Sequence, residues 1–190
     1  MSAELGNASA QNNLAIMFAS GDGVGRNDKE AVRLYALAAE QGVVSAQYNL
    51  GGMLAQGRGC PGGKRDEPGA LLRWLAAAAA GHVASHYNCG VCFEKGRGVL
   101  APDPLRAVAH YTFAAERGHT DAAFNLGFVY EKGAPPKIPP SPTLAMHYYL
   151  RAAASGDKEA PLRLEKMRAV EAKRLKASRS AELRRISKGT

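Results

Sequence analysis

Two histidines and two cysteines lie close together in the chain, and imidazole and thiolate groups are the side chains that bind zinc. They are His82, His86, Cys89 and Cys92. On one helix the four would share a face but extend over about 15 Å, whereas the ligands of a zinc ion lie about 2.0–2.3 Å from it. Cys89 and Cys92 also take positions that Leu and Met occupy elsewhere in the chain, which favours burial in a core. The sequence therefore predicts neither a metal site nor a cofactor.

Three turns of the form Gly-x-Gly have the glycine content of a phosphate-binding loop. They begin at Gly21, Gly57 and Gly96. None continues into the Lys-Ser/Thr pair of a phosphate loop, and none follows a predicted strand. The sequence also contains no recognisable arrangement of Ser, His and an acid. We therefore predict no enzyme, no catalytic residue and no small-molecule substrate.

Four asparagines recur in one register, each seven residues after a glycine: Asn13, Asn49, Asn88 and Asn125. Each stands beside an apolar position of a predicted helix and is turned away from its most apolar stripe. In a solenoid of helix pairs this helix lines the concave side, where a row of amides could hydrogen-bond an extended peptide. The alternative is that each Asn bonds the backbone of the neighbouring repeat or is solvated.

The C-terminal segment carries most of the charge. Residues 157–190 have a net charge of +6 out of the total of +8. Their candidate polyanion-binding residues are Lys173, Arg174, Lys176, Arg179, Arg184 and Arg185. Such a basic tail could contact RNA, anionic lipid or an acidic protein surface, and the alternative is a solvated extension.

A repeat of about 37 residues positions all these groups. A glycine closes each unit, at Gly42, Gly81, Gly118 and Gly156. The first helix of a unit (helix A) has small or apolar residues on one face and ends at a second glycine, which accepts a left-handed cap. The second helix (helix B) begins at an N-capping residue and carries one large ring. These residues are the caps Asn27, Asp66, Asp103 and Ser141 and the rings Tyr35, Trp74, Tyr111 and Tyr149.

A single hairpin cannot cover its own apolar face, so the units must stack. We therefore predict an all-α fold, a right-handed α/α superhelical solenoid of about four helix hairpins with a C-terminal capping helix. The repeats occupy residues 1–156, in units of about 7–42, 43–81, 82–118 and 119–156. A capping helix follows over 157–171, and a basic helical tail over 172–190.

The repeat resembles the Sel-1-like repeat, a longer relative of the tetratricopeptide repeat. The third unit matches that family's pattern at Gly90, Phe93, Gly96, Gly98, Val99, Asp103, Ala107, Tyr111 and Gly118. The resemblance implies a non-catalytic scaffold or adaptor that mediates protein–protein interactions through the solenoid surface, as a structural subunit of a larger assembly. The alternative is a ribonucleoprotein subunit, for example a ribosome-associated one, whose basic tail contacts RNA.

Three cysteines without a framework spacing do not indicate a disulfide-stapled secreted protein. The sequence has neither a secretory signal nor an apolar run long enough to span a bilayer. We predict a protein that is not secreted and resides in the cytoplasm or another reducing compartment. The alternative is the mitochondrial matrix, reached by a presequence since removed or by non-standard import.

Overall fold

The structure is a computed structural model that describes the backbone of residues 6–187 and the side chains of residues 6–181. The described part of the chain divides into two compact units, one ending at Arg117 and the other beginning at Gly118. The first contains six α-helices among its described residues: α1 (Ala8–Ser20), α2 (Asp28–Glu40), α3 (Val44–Gln56), α4 (Glu67–Ala79), α5 (Val83–Lys95) and α6 (Pro104–Glu116). The second contains three within the same limits: α7 (Thr120–Lys132), α8 (Pro142–Ala154) and α9 (Ala160–Ser187). The predicted all-α fold of helix hairpins is confirmed.

Local signals set the helix ends as predicted. The side chains of the four helix B caps each accept a hydrogen bond from a backbone N–H three residues further on, at 2.9–3.4 Å: Asn27, Asp66, Asp103 and Ser141. Helices α1, α3 and α5 end at Gly21, Gly57 and Gly96, which have φ of +81°, +75° and +70°. A side chain at these positions would be strained, so glycine ends the helix there.

A ring on helix B packs directly on the backbone of helix A in the second, third and fourth repeats. A Cβ atom added to Gly90 would lie 2.5 Å from Cδ1 of Tyr111, and one added to Gly127 would lie 2.6 Å from Cδ1 of Tyr149. Both tyrosines are fully buried. Glycine in the middle of α5 and α7 therefore lowers helix propensity but allows the two helices of a hairpin to approach closely.

Trp74 is the exception among the four predicted rings. Tyr35, Tyr111 and Tyr149 are at most 3% exposed, as the helix B register predicts. Trp74 lies over Gly51 in the same register, but its side chain is only half-buried. Trp74 therefore packs on helix A and also forms part of a surface groove.

The glycine-rich turns rest on the preceding repeat. A Cβ atom added to Gly59 would lie 2.7 Å from Cγ2 of Val32 on α2, and one added to Gly98 would lie 3.1 Å from the backbone N of Pro68 on α4. These two turns thus cover the first turns of the preceding helix B, in addition to the packing between the helices.

The last helix of the second unit is longer than the others. Helices α1 to α8 each have 13 residues, whereas α9 has 28. Its first turns keep the helix A register, with Ala160 and Leu164 buried against the unit. One continuous helix therefore contains most of the predicted capping helix (157–171) and of the predicted basic tail (172–190). The side chains of the predicted polyanion-binding residues Arg184 and Arg185 lie outside the described residues.

Candidate peptide-binding groove

A groove in the first unit runs over one face of α3. We call it the Asn groove and define it by Tyr48, Asn49, Gly52, Arg58, Trp74 and Asn88. Its cavity volume is 440 Å³. Five helices contribute, because Ala19 of α1 and Tyr35 of α2 line the groove as well as Trp74 of α4 and Asn88 of α5. The groove therefore spans three consecutive repeats.

A second, smaller cavity of 190 Å³ adjoins the first. The two share Ala55, Trp74 and Asn88, and the second extends to Tyr87 and Val91 on α5. Together they form an elongated surface with an indole in its middle. An elongated cleft of this kind suits a stretch of polypeptide better than a compact small molecule.

Trp74 is held in place from within the fold. Its Nε1 donates a hydrogen bond to the carbonyl oxygen of Tyr48, at 3.2 Å. Because Gly51 has no side chain, the indole also lies directly on the α3 backbone. The ring is thus fixed before any ligand arrives, which lowers the entropy cost of using it as a contact.

An ion pair between repeats positions Arg58 at the edge of the groove. Its guanidinium donates to Asp28 Oδ2 through Nε at 3.2 Å and to the carbonyl oxygen of Ala19 through Nη2 at 2.7 Å. Hydrogen bonds from Arg58 and then Arg26 hold the pKa of the Asp28 carboxyl far below its usual range. Asp28 is therefore ionised at neutral pH, and the pair connects the turn after α3 to the start of α2.

The structure brings together two of the four predicted asparagines. Asn49 and Asn88 are half-buried and line the same groove. Burial raises the pKa of the Tyr35 hydroxyl, and the charge of Arg58 and then the amide of Asn49 partly offset this rise. The side chain of Asn88 makes no hydrogen bond with any described residue. An amide so placed has two donors and an acceptor available to a ligand.

The other two asparagines share the register but not this setting. Asn13 is exposed on α1, where its Oδ1 accepts a long hydrogen bond of 3.5 Å from Asn12 Nδ2. Asn125 is half-buried on α7 in the second unit. Whether any of the four binds a peptide stays a prediction.

A row of aromatic residues beside the asparagines was missed at the sequence level. Tyr48, Tyr87 and Phe124 each immediately precede an Asn, and each is half-buried. The first two line the cavities just described. The signal in the sequence is a ring-Asn pair that recurs in the second, third and fourth repeats, where the ring adjoins a polar position and does not belong to the most apolar stripe.

The two histidines and two cysteines that resemble a zinc site in the sequence have structural roles in the fold. His82 caps α5, and its Nδ1 accepts from the backbone N of Ser85 at 3.3 Å. Cys89 and Cys92 are buried, and burial raises the pKa of their thiols to about 12 and about 11. Among the described residues, no three His, Cys, Asp or Glu side chains form a group that could hold a metal ion.

His86 belongs to a stack between α5 and α6. Its Nδ1 lies 3.0 Å from Nδ1 of His110, and its ring stacks on Phe113 at 3.7 Å between centroids. The ring of His110 stacks in turn on Phe93. Burial, then the charges of His86 and Arg106, lowers the pKa of His110 to about 4. The two imidazoles of the stack are therefore uncharged at neutral pH. The guanidinium groups at its two ends are those of Arg106, over the ring of Phe93, and Arg117, over the ring of Phe113.

The candidate polyanion-binding residues that the structure describes lie on α9. Lys173, Arg174, Lys176 and Arg179 all have exposed side chains. None of the described helices combines the length and the hydropathy that crossing a bilayer requires.

A family model described as Sel1 repeat matches residues 8–43, 44–82, 83–119 and 120–157. The chain belongs to the Sel1 repeat family. Sel1 repeat proteins generally mediate protein–protein interactions, and the repeat is a non-enzymatic scaffold. The predicted family and fold class are confirmed.

Two solved structures are similar to this Sel1 repeat chain. One is a protective antigen present in uropathogenic Escherichia coli strains, with 29% sequence identity and a TM-score of 0.79, covering 86% of this chain and 34% of that one. The other is a Sel1 repeat protein from Oxalobacter formigenes, with 31% identity and a TM-score of 0.76, covering 84% of this chain and 63% of that one. This chain thus spans less than two thirds of the length of either relative. A comparison with curated protein sequences found no match.

Proposed function

We propose that this Sel1 repeat chain is a non-catalytic scaffold whose Asn groove binds an extended segment of a partner protein. The observation that carries the proposal is that a fixed indole and two half-buried amides, those of Trp74, Asn49 and Asn88, line one elongated groove. One of these amides, that of Asn88, has no hydrogen-bond partner among the described residues.

The chemistry of the groove matches that of a peptide in extended conformation. Every residue of such a segment presents a backbone N–H and a C=O that need partners, and an asparagine amide can both donate and accept. Trp and Tyr are enriched where binding energy concentrates, since they remove much apolar area from water at low entropy cost. Trp74 and Tyr48 would therefore supply affinity, while Asn49 and Asn88 would set the register of the bound backbone.

The chain offers a direct assay, because Trp74 is its one tryptophan. Peptides would be selected from a random display library on the immobilised protein, and the tightest binders resynthesised. Binding would be followed by the change in tryptophan emission and, independently, by the anisotropy of a labelled peptide. We expect Asn88→Ala to weaken binding about fivefold to tenfold, as the loss of one net hydrogen bond implies, while leaving the thermal melt unchanged.

Asn13→Ala is the matched control, since it removes an exposed amide in the same register outside the Asn groove. It should leave peptide affinity unchanged. The proposal fails if no selected peptide alters the emission of Trp74, or if Asn13→Ala weakens binding as much as Asn88→Ala. If Asn88→Ala instead unfolds the protein, the asparagines stabilise the fold and do not bind a peptide.

We further propose that the chain acts as a structural subunit of a larger assembly. Stacked helix hairpins present a long surface for their size, which suits a protein that holds others together. Gel filtration of the native extract, followed by comparison with the purified chain, tests this. Elution at the size of the free chain in both cases would contradict it.

A second candidate function is binding to RNA, favoured by the exposed basic side chains of α9. Neutralising Lys173, Arg174, Lys176 and Arg179 would remove three or four phosphate contacts. Each contact contributes about 0.7–0.9 to the slope of log affinity for single-stranded RNA against log salt concentration. The magnitude of this slope would therefore fall by about 2–3.5. Neutralising the exposed Lys29, Lys64 and Lys95 of the first unit is the control, and an equal flattening there would contradict a specific role for α9.

We also propose a reducing compartment, the cytoplasm or the mitochondrial matrix, because all three cysteines are free thiols. Cys60 is half-buried and therefore open to slow oxidation. Protein that is unfolded in the presence of an alkylating reagent as it is extracted from its native source should carry three alkylated cysteines, and a disulfide-linked fraction would contradict the assignment.

A further inference from the structure

A second groove lies in the last unit, between α8 and α9. Its walls come from Pro142, Thr143 and Met146 on α8 and from Met167, Val170 and Arg174 on α9. The cavity measures 400 Å³, and its walls are mainly apolar. We call it the terminal groove.

The terminal groove exists because α9 departs from the repeat. In the first unit, the turns at Gly59 and Gly98 rest on the start of the preceding helix B. In those repeats a capping glycine ends helix A before the turn. Helix α9 has Glu171 at the position equivalent to the capping glycine. Since α9 continues as a helix through this position, no turn covers the first turns of α8. Pro142 and Thr143 are accordingly exposed.

The charges along α9, which forms one wall of the terminal groove, are mostly positive. Residues 160–181 of α9 contain seven Lys or Arg and two Asp or Glu. Two cations, Lys166 and Arg174, and two carboxylates, Glu131 and Glu171, lie at the groove itself. The carboxylate of Glu131 is already engaged, since it accepts from the hydroxyl of Tyr149 at 2.7 Å and lies 3.6 Å from Nη1 of Arg163. The groove therefore combines an apolar cleft with the excess of cations on α9.

We propose that the terminal groove binds an acidic segment of a partner protein that inserts one aliphatic side chain. The aliphatic anchor would take the position that a glycine-rich turn takes in the earlier repeats, against Met146, Met167 and Val170. Its flanking carboxylates would pair with Lys166 and Arg174. This surface is separate from the Asn groove and does not depend on what the Asn groove binds.

The test uses synthetic peptides of about 12 residues, rich in Glu and Asp, with one central Leu. Affinity would be measured by fluorescence anisotropy, and the site mapped by amide chemical shifts in the full chain. We expect shifts at Thr143 and Val170. Replacing the central Leu by Ala should weaken binding about tenfold, the factor expected when a buried aliphatic side chain is removed.

Two exposed aliphatic residues of α9 form a matched pair of variants. Val170 is 67% exposed and lines the terminal groove, whereas Leu175 is 66% exposed and does not. Val170→Gln should weaken binding about fivefold, and Leu175→Gln should leave it unchanged. Because both side chains are exposed, neither variant should alter the melt, and Arg174→Gln provides an independent test of the charge contact.

Three results would overturn the proposal. The first is the absence of measurable binding by the acidic peptides. The second is equal binding of the Leu and Ala peptides together with competition by single-stranded RNA, which would make the surface a polyanion site without an apolar anchor. The third is an equal effect of Val170→Gln and Leu175→Gln. Loss of peptide binding to the Asn groove in the Asn88→Ala variant should not change any of these measurements.

Discussion

Two glycines in the middle of equivalent helices should respond in opposite ways to the same substitution. Gly90 on α5 lies under the ring of Tyr111, whereas a Cβ atom added to Gly52 on α3 would have no heavy atom within 4 Å. We expect Gly90→Ala to destabilise the protein and Gly52→Ala to stabilise it. The comparison isolates ring-on-backbone packing from helix propensity, because propensity favours Ala at both positions.

The magnitudes follow from the geometry. Alanine gains about 1 kcal/mol over glycine in a helix interior. At Gly90 the new methyl group would lie 2.5 Å from Cδ1 of Tyr111, about 1 Å inside ordinary carbon contact. Tyr111 cannot move aside easily, because it is fully buried and its hydroxyl donates to Glu94 Oε2 at 2.6 Å. Overpacking of this kind costs about 2–3 kcal/mol, so the net loss should be about 1–2 kcal/mol.

Urea and thermal unfolding, each followed by far-ultraviolet circular dichroism, measure both effects. For a chain of this size we expect the melting temperature to fall by roughly 2–8 °C for Gly90→Ala and to rise by roughly 2–4 °C for Gly52→Ala. Gly127→Ala repeats the test in the second unit, where the methyl group would meet Tyr149. If Gly90→Ala is as stable as the natural chain or more so, the close approach of ring and helix does not exist in solution.

Three further predictions concern charges and thiols. Because the pKa of Asp28 is lowered far below its ordinary value in the folded state, its contribution is complete above about pH 4 and declines as the pH falls towards the folded pKa; Asp28→Asn should cost about 1–2 kcal/mol at pH 7 in urea unfolding, and progressively less as the pH is lowered below about 4. Because the folded pKa of His110 is lowered to about 4, stability should decline as the pH falls from about 6.5 towards 4, and melts of His110→Phe across this range should show a flatter dependence if the reasoning is correct. Under native conditions a thiol reagent should label Cys60 and leave Cys89 and Cys92 unlabelled until the protein unfolds; rapid labelling of all three would contradict their burial.

The helix boundaries were predictable because their causes are local. A capping glycine or an N-capping side chain acts within one turn, so the repeated positions of Gly57 and Asp66 place the helix ends without knowledge of the fold. The helix also continues past residue 171, where the predicted capping helix meets the predicted helical tail, because loss of the repeat register does not stop a helix. No glycine or proline occurs between Leu162 and Ala181, and α9 accordingly continues.

The candidate site was only partly predictable, because its geometry depends on contacts between repeats. The recurrent register placed Asn49 and Asn88 on one side of helix A, and the structure places both in one groove. The pairing of Arg58 with Asp28 joins residues 30 apart, and no local pattern marks it. The exposure of Trp74 is also a tertiary property, since the ring has the same register as buried Tyr111 and differs only in what covers it.

The packing of Gly59 and Gly98 on the preceding helix B also has a consequence for the order in which the chain can fold during synthesis. Each of these turns contacts a helix that lies nearer the N-terminus than the turn itself. Every contact of this kind therefore involves only residues that have already left the ribosome when the turn emerges. A growing chain can add one hairpin at a time to a folded template, without waiting for a distant C-terminal segment.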